Sequence, residues 1–231
     1  MTDCAISQES LKRIHSHDWD ITPGEAVNLQ KQLCPKVRIC DEFSDIQTIA
    51  GVDVGFDKMS NTGKAAIAVL GFGDLKIREK ATAEGVLRFP YVPGLLSFRE
   101  MPLILEALRN LSSLPDMIIC DGQGTAHPRR FGIACHLGVV TGIPCIGSAK
   151  SRLCGSHGDI PETKGEWTPL YHRNEVIGAV VRSRRNVKPI YVSAGHKVSL
   201  ESAVTIVMHC ITRYKLPETT RQAHKLSLFN R

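Results

Sequence analysis

The chain has 231 residues, 42% hydrophobic and 23% charged, with a formal net charge of +6. That is enough apolar material for one large α/β domain or two small ones, and no apolar stretch approaches the roughly 20 residues of a membrane helix. The N-terminus lacks a basic start and an apolar signal core, which excludes export and leaves the cytosol as the expected location.

Residues 1–45 read as an N-terminal helical extension packed on one domain spanning 1–231. Within it, Thr22-Pro-Gly-Glu25 is a helix start, with Thr as cap, Pro in the first turn and Glu three residues after the cap. That helix runs to Leu33, where Pro35 closes it. Residues 48–55 form the first strand. Lys64 to Phe72 and Leu75 to Glu84 form two more, joined by the turn Gly71-Phe-Gly-Asp74 into an antiparallel meander. Pro90-Tyr-Val-Pro-Gly94 is a rigid turn. Leu95 to Leu111 is amphipathic and helical, and Pro102 inside it predicts a late start or a kink.

Met117 to Cys120 is a strand, parallel to the first if the preceding helix is its crossover. Arg130 to Thr141 reads as a helix and Ile143 to Ile146 as a short strand. Two or three strands follow within 167–193. Ser199 caps a helix to Arg213, and Pro217 opens a last helix. Three strands, a helix, then strands separated by helices is the order of a ribonuclease-H-like α/β fold, a mixed sheet flanked by helices.

Two of these strands end alike. Thr48-Ile-Ala-Gly-Val-Asp53-Val-Gly55 and Asp116-Met-Ile-Ile-Cys-Asp121-Gly122 are unalternating apolar runs, as expected of strands buried on both faces, and each reaches an aspartate. An unpaired carboxylate inside such a strand is too costly, so each must lie at an end where positive charge can meet it. An Asp-Gly pair also closes an ordinary turn. Two such acids on neighbouring central strands can instead hold one divalent cation, and hard oxygen ligands suit Mg²⁺ or Mn²⁺.

Glu100, early in the crossover helix, is a third acid placed to point back toward the strand ends, although a helix glutamate is ordinarily a surface residue. Lys150 follows a strand end and could contact a phosphate, or sit in solvent as lysines mostly do. His224 lies on the last helix, within reach of the acids as ligand or proton carrier.

The eight cysteines show no CxxC spacing, which excludes zinc-ribbon and zinc-finger readings. Cys120, Cys135 and Cys145 read as small core residues. From Lys150 to Lys197 nine Lys/Arg stand against four Asp/Glu, either a solvated face or a contact for a phosphate backbone.

These residues resemble the endonuclease V family over Ile49 to Leu226. The carriers are Ile49-Ala-Gly-Val-Asp-Val-Gly55, Phe89-Pro-Tyr-Val-Pro-Gly-Leu-Leu-Ser-Phe-Arg-Glu100, Asp121-Gly-Gln-Gly-Thr-Ala-His-Pro-Arg-Arg130, Ile143-Pro-Cys-Ile-Gly-Ser-Ala-Lys150, Ser193-Ala-Gly-His196 and Leu216-Pro-Glu-Thr-Thr-Arg221. The resemblance implies a Mg²⁺-dependent phosphodiesterase, Mn²⁺ substituting. It implies a catalytic set of Asp53, Glu100, Asp121, Lys150 and His224, with Asp53 and Asp121 as metal ligands. The family cuts the second phosphodiester bond 3′ to an inosine in DNA, leaving 3′-hydroxyl and 5′-phosphate ends.

It further implies a DNA wedge at Pro90, Tyr91, Val92 and Pro93, since an enzyme that reads a base must open the stack. The implied base pocket is lined by Gly94, Leu96, Gly122, Gly124, His127 and Gly147, with backbone amides reading the keto oxygen that adenine lacks. The expected partner is inosine-containing DNA, with no membrane, and the expected state is a monomer. Gln123 departs from the family's usual histidine, and position 224 alternates with aspartate. An inosine-directed ribonuclease and a non-catalytic nucleic-acid-binding module are the alternatives. An actin-type ATPase lacks its phosphate loops and second lobe in a chain this short.

Overall fold

The run Ile49–Val52 carries no polar alternation because both faces of its strand are covered. In the computed structural model, which describes residues 17–229, that strand is β1 (Thr48–Asp57). β2 (Thr62–Gly71) and β3 (Ile77–Val86) follow as antiparallel neighbours, the expected meander. β4 (Met117–Cys120) and β5 (Cys145–Ala149) extend the sheet on the other side of β1, both parallel to it. β6 (Trp167–His172), β7 (Glu175–Val181) and β8 (Ile190–His196) add an antiparallel flank. The order across the eight strands is β3-β2-β1-β4-β5-β8-β7-β6.

Among the described residues, five α-helices accompany the sheet: α1 (Pro23–Leu33), α2 (Leu96–Arg109), α3 (Ile133–Thr141), α4 (Leu200–His209) and α5 (Glu218–Ser227). Alternate strand residues feed two cores. Ala50, Val52, Ile67, Ile118 and Cys120 pack with Met101 and Ile104 of α2 and Leu137 of α3. Ile49, Ala68, Leu70, Met117 and Ile119 pack on the opposite face with Val204 and Val207 of α4 and Ala223 of α5. The result is the ribonuclease-H-like mixed sheet. Among the described residues no helix is long and apolar enough to cross a membrane.

The expected cap at Thr22 is present: its hydroxyl takes the Glu25 N–H while the Glu25 carboxylate takes the Thr22 N–H. Residues 1–16 of the N-terminal extension, Cys4 among them, lie outside the described residues. Cys120, Cys135, Cys145 and Cys210 are buried free thiols.

Several boundaries differ from the sequence reading: β1 runs past Gly55 to Asp57, and α4 stops at His209 short of Arg213. β3 begins at Ile77, because Leu75 takes a positive φ in a turn that the Asp74 carboxylate holds through the Lys76 N–H. α3 begins at Ile133, because Arg130 also has a positive φ and its side chain is bound to Glu175 and His172. β5 starts at Cys145 and runs on to Ala149, which brings Lys150 to its very end. Pro102 neither delays α2 nor sits in its first turn; core contacts of Met101, Ile104 and Leu108 outweigh the lost hydrogen bond.

One close approach positions the site. A Cβ on Gly51 would lie 2.1 Å from the main chain of Thr219, and one on Gly55 would lie 2.0 Å from the Ser227 carbonyl oxygen. Both bare positions let α5 rest directly on β1, and α5 carries His224 to the strand end.

Candidate active site

β1 and β4 run parallel with Val52 opposite Cys120, so Asp53 and Asp121 come level just past the point where that pairing stops. Asp121 follows the last residue of β4, but Asp53 lies inside β1, which runs on to Asp57 against β2 rather than ending at the acid as expected. The Asp121 N–H donates to the Val52 carbonyl at 3.2 Å, which fixes that level. Each aspartate has met a side-chain partner, as burial demands. Asp121 Oδ2 lies 2.5 Å from Lys150 Nζ, and Asp53 Oδ2 lies 3.0 Å from His224 Nδ1. Ser227 Oγ also donates to Asp53 Oδ2 at 2.6 Å. Glu100 stands in the first turns of α2, within the electrostatic reach of both aspartates. All five residues of the expected catalytic set are thereby gathered at one end of β1, β4 and β5.

The electrostatics are those of a site short of positive charge. Burial, and then the like charges of Asp53 and Asp121, push the Glu100 carboxyl from 4.5 up to about 8. Burial raises Asp121 as well, opposed by Lys150. Carboxylate oxygens from two adjacent strand ends are the donor set of a hard divalent ion, which takes one or two carboxylates and fills its remaining positions with water and substrate oxygens. Among the described residues no three His, Cys, Asp or Glu side chains close into a cage. Asp53 and Asp121 are the side chains that would hold such an ion, and Glu100 is the third acid near it.

A cavity of about 320 Å³ opens beside Asp121 and Lys150. Of the expected pocket and wedge residues, Tyr91, Val92, Pro93, Gly94, Leu96, Gly122 and His127 line it. Tyr91 is 73% exposed at its rim. Pro90, Gly124 and Gly147 are not on its walls. The two glycines instead let the 122–124 loop lie flat on the sheet: a Cβ on Gly147 would meet Gly124 N at 2.4 Å, and one on Gly124 would meet the Ala194 carbonyl at 2.0 Å. Two backbone amides of this loop are already engaged within the protein. The Gly122 N–H donates to Cys120 O and the Gly124 N–H to Ser193 Oγ.

Several residues that hold this cavity were not singled out from the sequence. Gly94 has φ +79°, and its carbonyl accepts from Gln30 Nε2 (3.0 Å), His127 Nε2 (3.0 Å) and Arg129 Nη2 (2.8 Å). Gln30, buried on α1, also donates to Phe131 O and accepts from Arg129 Nε. The N-terminal helix therefore anchors the Pro90–Gly94 turn. Burial and the Arg129 charge drop His127 to about 4, so it is neutral at pH 7. Its Nδ1 accepts the Arg129 N–H, which assigns the proton to Nε2, on Gly94. Gln123 Nε2 donates to Ser151 O at 2.9 Å, while its buried Oε1 has no partner among the described residues.

Acids gathered at the strand ends of a ribonuclease-H-like sheet, next to a lysine and a nucleobase-sized cavity, define the class: a nucleic-acid hydrolase. The endonuclease V family model matches residues 31–225. Endonuclease V of Trichormus variabilis is 52% identical over 212 residues, 91% of this chain and 96% of its own. The crystal structure of endonuclease V from Streptomyces avermitilis superposes with a TM-score of 0.86 at 41% identity, over 90% of this chain and 92% of that one. Endonuclease V of Ciona intestinalis, solved in complex with a 23mer DNA containing an inosine followed by a ribo-adenosine, gives 0.79 at 31% identity, over 90% and 97%. The chain belongs to the endonuclease V family, metal-dependent endonucleases that hydrolyse phosphodiester bonds.

The Glu100 shift has a sign that can be measured. A carboxyl raised from 4.5 to about 8 on folding adds no penalty below pH 4.5, and destabilises the metal-free protein progressively as pH rises toward 8. Glu100→Gln should therefore match the wild type in Tm near pH 4.5 and exceed it at pH 8 in EDTA. A variant less stable than wild type at pH 8 would show that Glu100 is not repelled by its neighbours.

Proposed function

We propose that this protein hydrolyses inosine-containing DNA at the second phosphodiester bond 3′ to the inosine, with Mg²⁺ as its ion, leaving 3′-hydroxyl and 5′-phosphate ends. The observation that carries this reading is the opening of a 320 Å³ cavity directly beside Asp121 and Lys150. A base displaced into that cavity lays its 3′ backbone across the acids.

The ion supplies charge neutralisation and a more acidic bound water; Asp53 and Asp121 hold it. Glu100 orients the attacking water by hydrogen bonding. Lys150 moves from Asp121 to a phosphate oxygen as substrate enters, offsetting charge that builds at phosphorus. His224 Nδ1 is committed to Asp53, which leaves its Nε2 to carry a proton toward the leaving 3′-oxygen. Tyr91, exposed on a turn braced by Gln30, His127 and Arg129, takes the stacking place of the displaced base.

Gln123 gives the cavity a polarity. The Ser151 carbonyl requires the amide's N–H₂ on its side, which leaves Oε1 an unpaired acceptor buried behind the cavity wall, reached by a base only when the wall gives way. Hypoxanthine has an N1–H for such an acceptor and adenine does not, so adenine leaves it unpaired. With the Gly122 and Gly124 amides engaged elsewhere, this side chain is the specificity element of the loop.

Asp53→Ala should lower single-turnover cleavage of an inosine duplex about 1000-fold or more while retaining most of its affinity, because the loss falls on transition-state stabilisation. Full activity in that variant would remove the proposal. Running matched inosine RNA beside the DNA decides the nucleic acid. Gln123→Leu should cut kcat/KM on inosine DNA about tenfold, near the upper end of one neutral hydrogen bond. An unchanged preference for inosine over adenine would place base reading elsewhere.

A further inference from the structure

A second cavity, about 360 Å³, lies on the other side of the acid pair, with Tyr214, Lys215, Arg221 and His224 among its walls. The first cavity contains Asp121; this one is tied to Asp53 through His224. Each cavity thus adjoins one of the two acids or its partner. Its loop, between α4 and α5, presents an aromatic ring. The Arg221 guanidinium carbon stands 3.5 Å from the Tyr214 ring centroid, and Glu218 holds Arg221 in place. The Arg213 guanidinium lies farther off, 5.9 Å from the same ring centroid, and with both arginines in place the tyrosine is still 46% exposed.

The charged residues on its walls, Lys215, Arg221 and Lys225, are basic, and the nearby Glu218 carboxylate is taken up by Arg221. Lys188 stands two residues before β8, whose Tyr191 pairs with Ala149 next to Lys150. Burial, then the ammoniums of Lys188 and Lys150, lower Lys215, with no carboxylate opposing them. An ordinary solvated loop spreads its lysines or pairs them; here Lys215 is pressed toward two others beside an exposed ring. A stacking surface with clustered cations is how proteins hold single-stranded nucleic acid without reading its sequence.

We propose that this cavity is a nucleotide subsite in which the base immediately 3′ to the scissile phosphate stacks on Tyr214, while Lys215 and Lys188 contact the phosphates beside it. The proposal rests on the nuclease reading and extends it to the product strand that carries the 5′-phosphate. With the inosine in the first cavity and one nucleotide spanning to the acids, the second nucleotide 3′ of the inosine is the one that reaches Tyr214. Stacking is tolerant of base identity, so the subsite grips this position without selecting a base.

The test is an affinity cycle by fluorescence anisotropy in Ca²⁺. It uses inosine duplexes carrying either thymine or an abasic tetrahydrofuran at the second nucleotide 3′ of the inosine. One aromatic–base stack is worth about 5- to 150-fold in affinity. Wild type should therefore bind the abasic duplex at least about 5-fold more weakly. Tyr214→Ala should bind the thymine duplex more weakly by a similar factor and no longer distinguish the two duplexes. Tyr214→Phe should restore the distinction. Lys215→Ala should reduce the slope of log affinity against log salt by about one. If wild type is indifferent to the abasic position, or Tyr214→Ala loses equally on both duplexes, the subsite is refuted. Cleavage of the same duplexes in Mg²⁺ is scored separately. A protein that binds but never cuts contradicts the nuclease reading while this comparison still decides the subsite.

Discussion

Three carboxylates share one end of two parallel strands, and their repulsion must be met by positive charge. Nearly everything near them answers to that constraint. Lys150 and His224 each take one aspartate, Ser227 adds a donor to Asp53, and Glu100 keeps its proton up to about pH 8. The apolar strands that carry the acids make the arrangement costly, because they keep solvent away from the charges. The same exclusion makes the site tight for a hard cation and for the phosphate that would follow it.

The scaffold spends unusual backbone features to maintain this geometry. Gly51 and Gly55 let α5 lie against β1, and α5 delivers both His224 and Ser227. On the other side, Gln30 reaches from the N-terminal helix to the Gly94 carbonyl, where His127 and Arg129 converge as well. A carbonyl that accepts three donors fixes the turn presenting Tyr91. The N-terminal segment and the C-terminal helix, farthest apart in the chain, thus brace opposite sides of one site.

The sequence showed the centre of this site better than its supports. Asp53 and Asp121 were legible because each interrupts an otherwise apolar run, although only Asp121 lies at a strand end and Asp53 sits inside β1 where its pairing with β4 stops. Glu100, Lys150 and His224 drew little weight from their own surroundings in the chain and were singled out through the family resemblance. Gln30 and Ser227 were not legible: their partners lie 64 and 174 residues away, and nothing local marks them. Boundaries slipped where Leu75 and Arg130 take positive φ, a conformation that neither residue type announces. The glycines Gly124 and Gly147 do allow close approach, but of the 122–124 loop to the sheet rather than of main chain to a base.

The ion is the element on which the mechanism turns, and its place can be observed directly. Crystals of the wild-type protein soaked in Mn²⁺ should show anomalous density between the Asp53 and Asp121 carboxylates, with Lys150 displaced from Asp121 and Glu100 bound to a coordinated water. Density elsewhere, or a protein that retains full cleavage in EDTA with both aspartates still paired to Lys150 and His224, would contradict the account.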